Sequence, residues 1–258
     1  MPRLAANLTM LFNEVDFLDR FQAAAASGFE SVEYLFPYAY PAEELRARLE
    51  AHHLTQVLHN LPAGDWAAGE RGIACLPDRV TEFEAGVDRG IAYAKALGCT
   101  RLNCLAGIRP PGVDGDTARD TFVGNLRSAA PRLERAGIQL LIEPINTHDM
   151  PGFFLSGTAQ ALAIIDEVGS GNLFLQFDMY HMHRMGEDLG ATIDTHLDRI
   201  AHMQLADAPG RHEPGTGEID YASLFRRIDR AGYTGWIGCE YLPLASTVDG
   251  LGWRSAIG

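Results

Sequence analysis

The 258-residue sequence has no Cys-x-x-Cys pair and no cysteine-dense segment; its four cysteines, Cys75, Cys99, Cys104 and Cys239, lie scattered. This spacing argues against a disulfide-stapled secreted scaffold, and a reducing cytoplasm is the expected setting. Nor is there an uninterrupted apolar run of the ~18 residues that a membrane span needs. The N-terminal MPRLAANLTMLFNEVDF is broken by Asn7, Asn13, Glu14 and Asp16, so no signal peptide is expected. Basic residues are scarce as well: 21 Lys and Arg stand against 34 Asp and Glu, a formal net charge of −13. A chain so acidic is poorly suited to duplex nucleic acid or a membrane surface, which require clustered cations. An anionic substrate would need a local exception. What the chain does have is 47% hydrophobic residues, enough for a sizeable core.

Those apolar residues fall into eight short runs: LAANLTM (4–10), SVEYLF (31–36), LTQVLHN (54–60), RLNCLAG (101–107), IQLLIEP (138–144), NLFLQFD (172–178), IAHMQLAD (200–207) and GWIGCEY (235–241). Helix-like segments lie between them. In 117–136, Phe122, Leu126, Ala129, Ala130 and Leu133 recur at helical spacing, Pro131 is a potential kink and Gly137 a stop. Phe17, Phe21, Ala24 and Ala25 line an earlier helix that ends before Gly28, and Asp220 is placed to cap a helix bearing Leu224 and Ile228. Strand and helix alternate without a linker or a shift in composition. The expectation is one α/β domain over residues 1–258, a single (β/α)8 TIM barrel.

In such a barrel the C-terminal ends of the strands carry the chemistry. LLIEPINTHD (140–149) shows the feature plainly: a greasy strand ends in Glu143, and Pro144 forbids a longer ladder. A buried carboxylate is costly unless paired. The last inward positions of strands five to eight give Glu143, Asp178, Gln204 and Glu240, each roughly one βα unit from the next. Three converging carboxylates would repel one another, and a divalent cation resolves the conflict. An all-oxygen donor set favours Mg²⁺ or Mn²⁺ over Zn²⁺. His181 can donate to a substrate oxygen, His59 ends the third strand, and His202 reads as a core histidine before a ligand. The long loop PAGDWAAGERGIAC (62–75) carries Trp66, Glu70 and Arg71, and GRHEPGTGEIDY (210–221) brings Arg211 to the mouth. Arg71 and Arg211 are the candidates for gripping a substrate carboxylate.

The segments LHNLPAGDWAAGERGIAC, LLIEPINTHDMPGF, FDMYHMHRM, HMQLADAPGRHEPGTGEIDY and GWIGCEY resemble the hydroxypyruvate isomerases, within the xylose-isomerase-like barrel superfamily. The similarity runs from Asn7 to about Trp253, nearly the whole chain. The resemblance implies that Glu143 and Glu240 transfer the proton and, with Asp178, bind the metal. It implies substrate contacts for His181 and Arg211, with Gln204 at a position usually occupied by His in ketose 3-epimerases. The expected substrate is a small anionic 2-oxo acid, handled without an organic cofactor by a chain whose relatives often form homo-oligomers. The competing readings are a 2-oxo-tetronate isomerase or ketose 3-epimerase on the same site, a non-catalytic metal-containing binding module, and a DNA-repair nuclease of the endonuclease IV type.

Overall fold

Each of the eight apolar runs contains a strand in the computed structural model, which describes residues 2–256. They are β1 (Arg3–Asn7), β2 (Ser31–Glu33), β3 (Thr55–Asn60), β4 (Arg101–Cys104), β5 (Gln139–Ile142), β6 (Leu173–Asp178), β7 (Ile200–Leu205) and β8 (Trp236–Cys239). Neighbours run parallel in sequence order, and β1 closes on β8 in a register from Arg3 opposite Trp236 to Ala6 opposite Cys239. The chain is therefore a single (β/α)8 barrel.

Parallel neighbours cannot be joined by tight turns, so crossovers are required. The helices in them are α1 (Arg20–Ala26), α2 (Ala42–Ala51), α3 (Val80–Leu97), α4 (Gly115–Arg135), α5 (Thr158–Val168), α6 (Met179–Arg184), α7 (Leu189–His196) and α8 (Tyr221–Ala231). The segment expected at 117–136 is α4, which starts two residues earlier because the Asp114 carboxylate accepts from the Thr117 amide. It runs on through Pro131 and buries Phe122, Leu126, Ala129, Ala130 and Leu133. Asp220 caps α8 by accepting from the Ser223 amide, and Leu224, Phe225 and Ile228 face inward.

Two apolar layers result. The larger lies between strands and helices. A smaller one, built on Ala5, Val57, Leu58, Leu141 and Trp236, closes the floor of the barrel. Beyond that floor the barrel interior turns polar: Asn7, Glu33, Asn103, Gln176, His202 and Gln204 are all buried.

Candidate active site

So many buried polar groups are tolerable only if they satisfy one another. The Glu33 carboxylate accepts from Asn7 Nδ2 (2.9 Å), His202 Nε2 (2.6 Å) and Gln204 Nε2 (2.8 Å). Glycine at 238 leaves the space for that carboxylate, since a Cβ there would overlap it. Gln176 Nε2 donates to Gln204 Oε1 at 2.6 Å. A carboxylate accepts only, so Glu33 fixes which way the Gln204 amide faces, and Gln204 Oε1 keeps one further lone pair. His202 is thus a core histidine bound to Glu33.

Above this network stand the three other strand-end acids. Glu143 follows β5, Asp178 ends β6 and Glu240 follows β8, and all three are buried. Glu143 Oε2 accepts from Asn103 Nδ2 at 2.8 Å. Asp178 Oδ1 accepts from the amides of Tyr180 (2.8 Å) and His181 (3.3 Å), while its Oδ2 is buried without a partner. His181 Nε2 lies 3.6 Å from Asp178 Oδ2 and 3.9 Å from Glu143 Oε1. Glu143, Asp178 and His181 present ligand atoms within 4.8 Å of one another, a group able to hold a metal ion. Arg211, at a φ of +57°, reaches Glu240 Oε1 with Nη2 at 3.2 Å and places its guanidinium over the Tyr180 ring.

Burial dominates the electrostatics. It pushes the Glu143 carboxyl well above the usual range, and repulsion from Glu240 and Asp178 adds to the shift. Burial likewise raises Glu240 to about 8 and Asp178 to about 6, with Arg211 pulling both back down. For Arg211 burial opposes the charge, but Glu240, Asp178 and Glu143 outweigh it and raise its pKa. Burial and the Arg211 charge hold the His181 imidazole neutral. Arg211 thus faces three acids whose ionised forms burial disfavours and added positive charge would favour.

These groups border a small cavity of about 80 Å³, which Glu143, His181, Gln204, Arg211 and Glu240 reach and Trp66 and Met150 wall. A larger, more open groove at the opposite end of the barrel, near Arg101, Gln139 and Ala201, holds none of the buried acids. The 62–75 loop is anchored: Gly72 and Ala106 form a bridge, the Cys75 amide donates to Ala106 O at 2.8 Å, and Asn125 Nδ2 holds Ala74 O at 2.8 Å.

Two of the residues proposed from sequence lie elsewhere. His59 was expected at the mouth, but β3 continues to Asn60, and Leu58 and Asn60 are the residues that line the cavity. Side chains alternate along a strand, so His59 points the other way. There it meets the edge of Tyr38 and binds the Asn60 carbonyl at 3.0 Å, with burial lowering its pKa to about 4. Arg71 is also corrected: its guanidinium stacks on Trp66 at 4.3 Å and donates to the carbonyls of Trp66 and Glu70. Trp66, not Arg71, lines the cavity. Conversely, Asn7, Glu33 and Asn103 belong to the site's polar network, and applying the strand-end rule to β1, β2 and β4 would have found them.

A buried acid cluster at the C-terminal mouth of a closed barrel defines a class of enzyme site. The chain belongs to the xylose isomerase-like TIM barrel family, whose model matches residues 21–256. It is 54% identical to the hydroxypyruvate isomerase of Escherichia coli (strain K12), over 98% of each chain. It is 50% identical to a 2-oxo-tetronate isomerase of Cupriavidus necator, over 98% of this chain and 97% of the relative. A crystal structure from Brucella melitensis, described as an AP endonuclease of family 2, superimposes with a TM-score of 0.97 at 45% identity over 99% of each chain. Among the described residues no helix is long and apolar enough to cross a membrane.

Proposed function

We propose that this protein interconverts hydroxypyruvate and 2-hydroxy-3-oxopropanoate (tartronate semialdehyde), with Glu143 and Glu240 exchanging the proton. The observation that carries the reading is the meeting of two buried glutamates with Arg211 and a neutral His181 in one cavity. One carboxylate removes a proton from carbon 3. The electron pair of that C–H bond becomes the carbon 2–carbon 3 double bond, and charge builds on the former ketone oxygen. The second glutamate delivers a proton to carbon 2; the hydroxyl proton leaves oxygen 3, the former ketone oxygen gains one, and an aldehyde results. His181 and Arg211 supply donors where the oxyanion develops, and Arg211 Nε, buried without a partner, is free for the substrate carboxylate.

The donor set fits a divalent cation. Asp178 Oδ2 is buried and partnerless, and three acids converge with too little positive charge. Glu143, Asp178, Gln204 and Glu240 would hold the ion, and hard oxygen donors favour Mg²⁺ or Mn²⁺. When bound, such an ion supplies charge that polarises a substrate carbonyl and keeps the carboxyls ionised. The four cysteines are free and buried, in keeping with a reducing cytoplasm.

A second reading, isomerisation of 2-oxo-tetronate, draws on the 50% identical relative. A nuclease reading is disfavoured by the net charge of −13. The test is turnover of each 2-oxo acid by the purified protein with Mg²⁺, Mn²⁺ or chelator. A kcat/KM for hydroxypyruvate above that for 2-oxo-tetronate supports the first reading, the reverse order supports the second, and activity on neither removes both.

A further inference from the structure

We infer that Asn146, in the loop after β5, is a positioning residue that holds the His181 imidazole as its Nε2–H tautomer. His181 then meets a substrate oxygen as a hydrogen-bond donor and does not bind a metal through that nitrogen. The substrate part of this inference rests on the proposed isomerase reading; the tautomer does not.

The side-chain oxygen of Asn146 fixes which way its amide faces. Oδ1 accepts from two backbone amides, His148 N at 3.1 Å and Asp149 N at 2.8 Å. Both are obligate donors, so the amide cannot be turned round. Its NH₂ must therefore face Asp149 Oδ2 at 3.1 Å and His181 Nδ1 at 2.7 Å. A donor so close requires a lone pair on Nδ1, and the proton of a neutral ring then sits on Nε2. One contact argues for the opposite tautomer: Arg211 Nη2, also a donor, lies 3.4 Å from Nε2. The two demands cannot both be met, and distance decides between them. Opposed hydrogens at 2.7 Å would clash, whereas at 3.4 Å the guanidinium contact is weak and already served by Glu240. Asn146 is itself buried and braced, because Asp149 Oδ2 also accepts from Tyr180 Oη at 2.7 Å. With Nδ1 engaged, Nε2–H points at the space between Asp178 Oδ2 and Glu143 Oε1. That space is where a reacting oxygen would come.

The test is the imidazole nitrogen spectrum of protein labelled with ¹⁵N-histidine, metal-free, with the His181 signals assigned by their loss in His181→Gln. The expected result is a proton on Nε2 and none on Nδ1, unchanged when Mg²⁺ is added. A proton on Nδ1, or loss of the Nε2 proton on adding Mg²⁺, overturns the inference. Asn146→Asp keeps the shape and the acceptor for the two backbone amides but presents an acceptor to Nδ1. It is expected to move the proton to Nδ1 and to lower kcat about 10²-fold with KM little changed, the scale of a lost oxyanion donor. An unchanged tautomer in that variant overturns the role given to Asn146. If the variant does not fold, the wild-type spectrum still decides. Failure of the wild type to turn over hydroxypyruvate would instead strike the proposed function and leave the spectrum standing.

Discussion

The two glutamates face opposite demands at single positions. In the proposed role of proton carriers they must ionise, yet burial and neighbouring carboxylates favour their neutral forms. Removing the charge while keeping the shape should therefore separate function from stability. Glu143→Gln and Glu240→Gln are each expected to lower kcat about 10²- to 10⁴-fold, the range of general acid–base catalysis. In metal-free protein neither should lower the melting temperature, and Glu143→Gln, whose amide can still accept from Asn103, should raise it. Turnover and thermal melts on the same preparations check both statements; full activity in either variant would remove that residue from proton transfer. The same scale shows what could be read in advance. Glu143, Asp178, Gln204 and Glu240 were legible because an acid or amide at the end of an apolar strand has few places to go. His59 misled because it was taken as the end of a strand that runs on to Asn60, and one residue reverses the face. Arg71 could not be read at all, since its stacking on Trp66 depends on a loop conformation without periodicity.

At the scale of elements, the eight strands were readable because parallel strands covered by helices form short, mainly apolar runs, which the polar residues of the inner face interrupt without erasing. The loop joining β3 to α3 was not, and three of its glycines, Gly64, Gly69 and Gly72, have positive φ. Gly72 has a φ of +117°, and a Cβ there would stand 2.5 Å from the Leu105 carbonyl oxygen and 2.8 Å from the Gly107 nitrogen, backbone atoms that cannot swing aside. Gly69, in the same loop, has a φ of +97°, but a Cβ there would meet no atom within 4 Å. Gly69→Ala should thus cost only the backbone penalty, about 1–2 kcal/mol. Gly72→Ala should cost about 2–4 kcal/mol, because steric overlap is added to that strain. It should also raise KM, since the loop it displaces carries Trp66 into the cavity. Urea unfolding of the two variants measures the difference; equal losses would mean that the close approach to the β4 loop does not hold this segment in place.

For the whole molecule, the polar interior makes stability depend on pH in a direction opposite to that of most acidic proteins. A carboxyl normally has a folded pKa below its unfolded one, so stability is lost as pH falls. Here burial raises Glu240 from 4.5 to about 8 and Asp178 from 3.8 to about 6, and Glu143 moves upward too. Through these three carboxyls the folded state binds more protons than the unfolded state, and their contribution declines as pH rises; His59 and His181, whose pKa values burial lowers, act the other way up to the unfolded imidazole value near 6.5. The favourable contribution is complete below the unfolded values near 4 and is lost on passing the folded values, for Asp178 near 6 and for Glu240 near 8. The rest of the surface is acidic, and its self-repulsion acts in the same direction. A divalent cation among these oxygens favours the ionised forms and should reverse the trend locally, so the stabilisation it gives should grow with pH. Melting temperatures from about pH 7 to 8 in chelator, above the range where the histidines titrate, should therefore fall, while the gap between Mn²⁺-loaded and metal-free protein should widen from about pH 5 to 8. A gap that is constant with pH would mean that the ion binds away from these acids, and Glu143→Gln, which removes one of them, should then leave it unchanged.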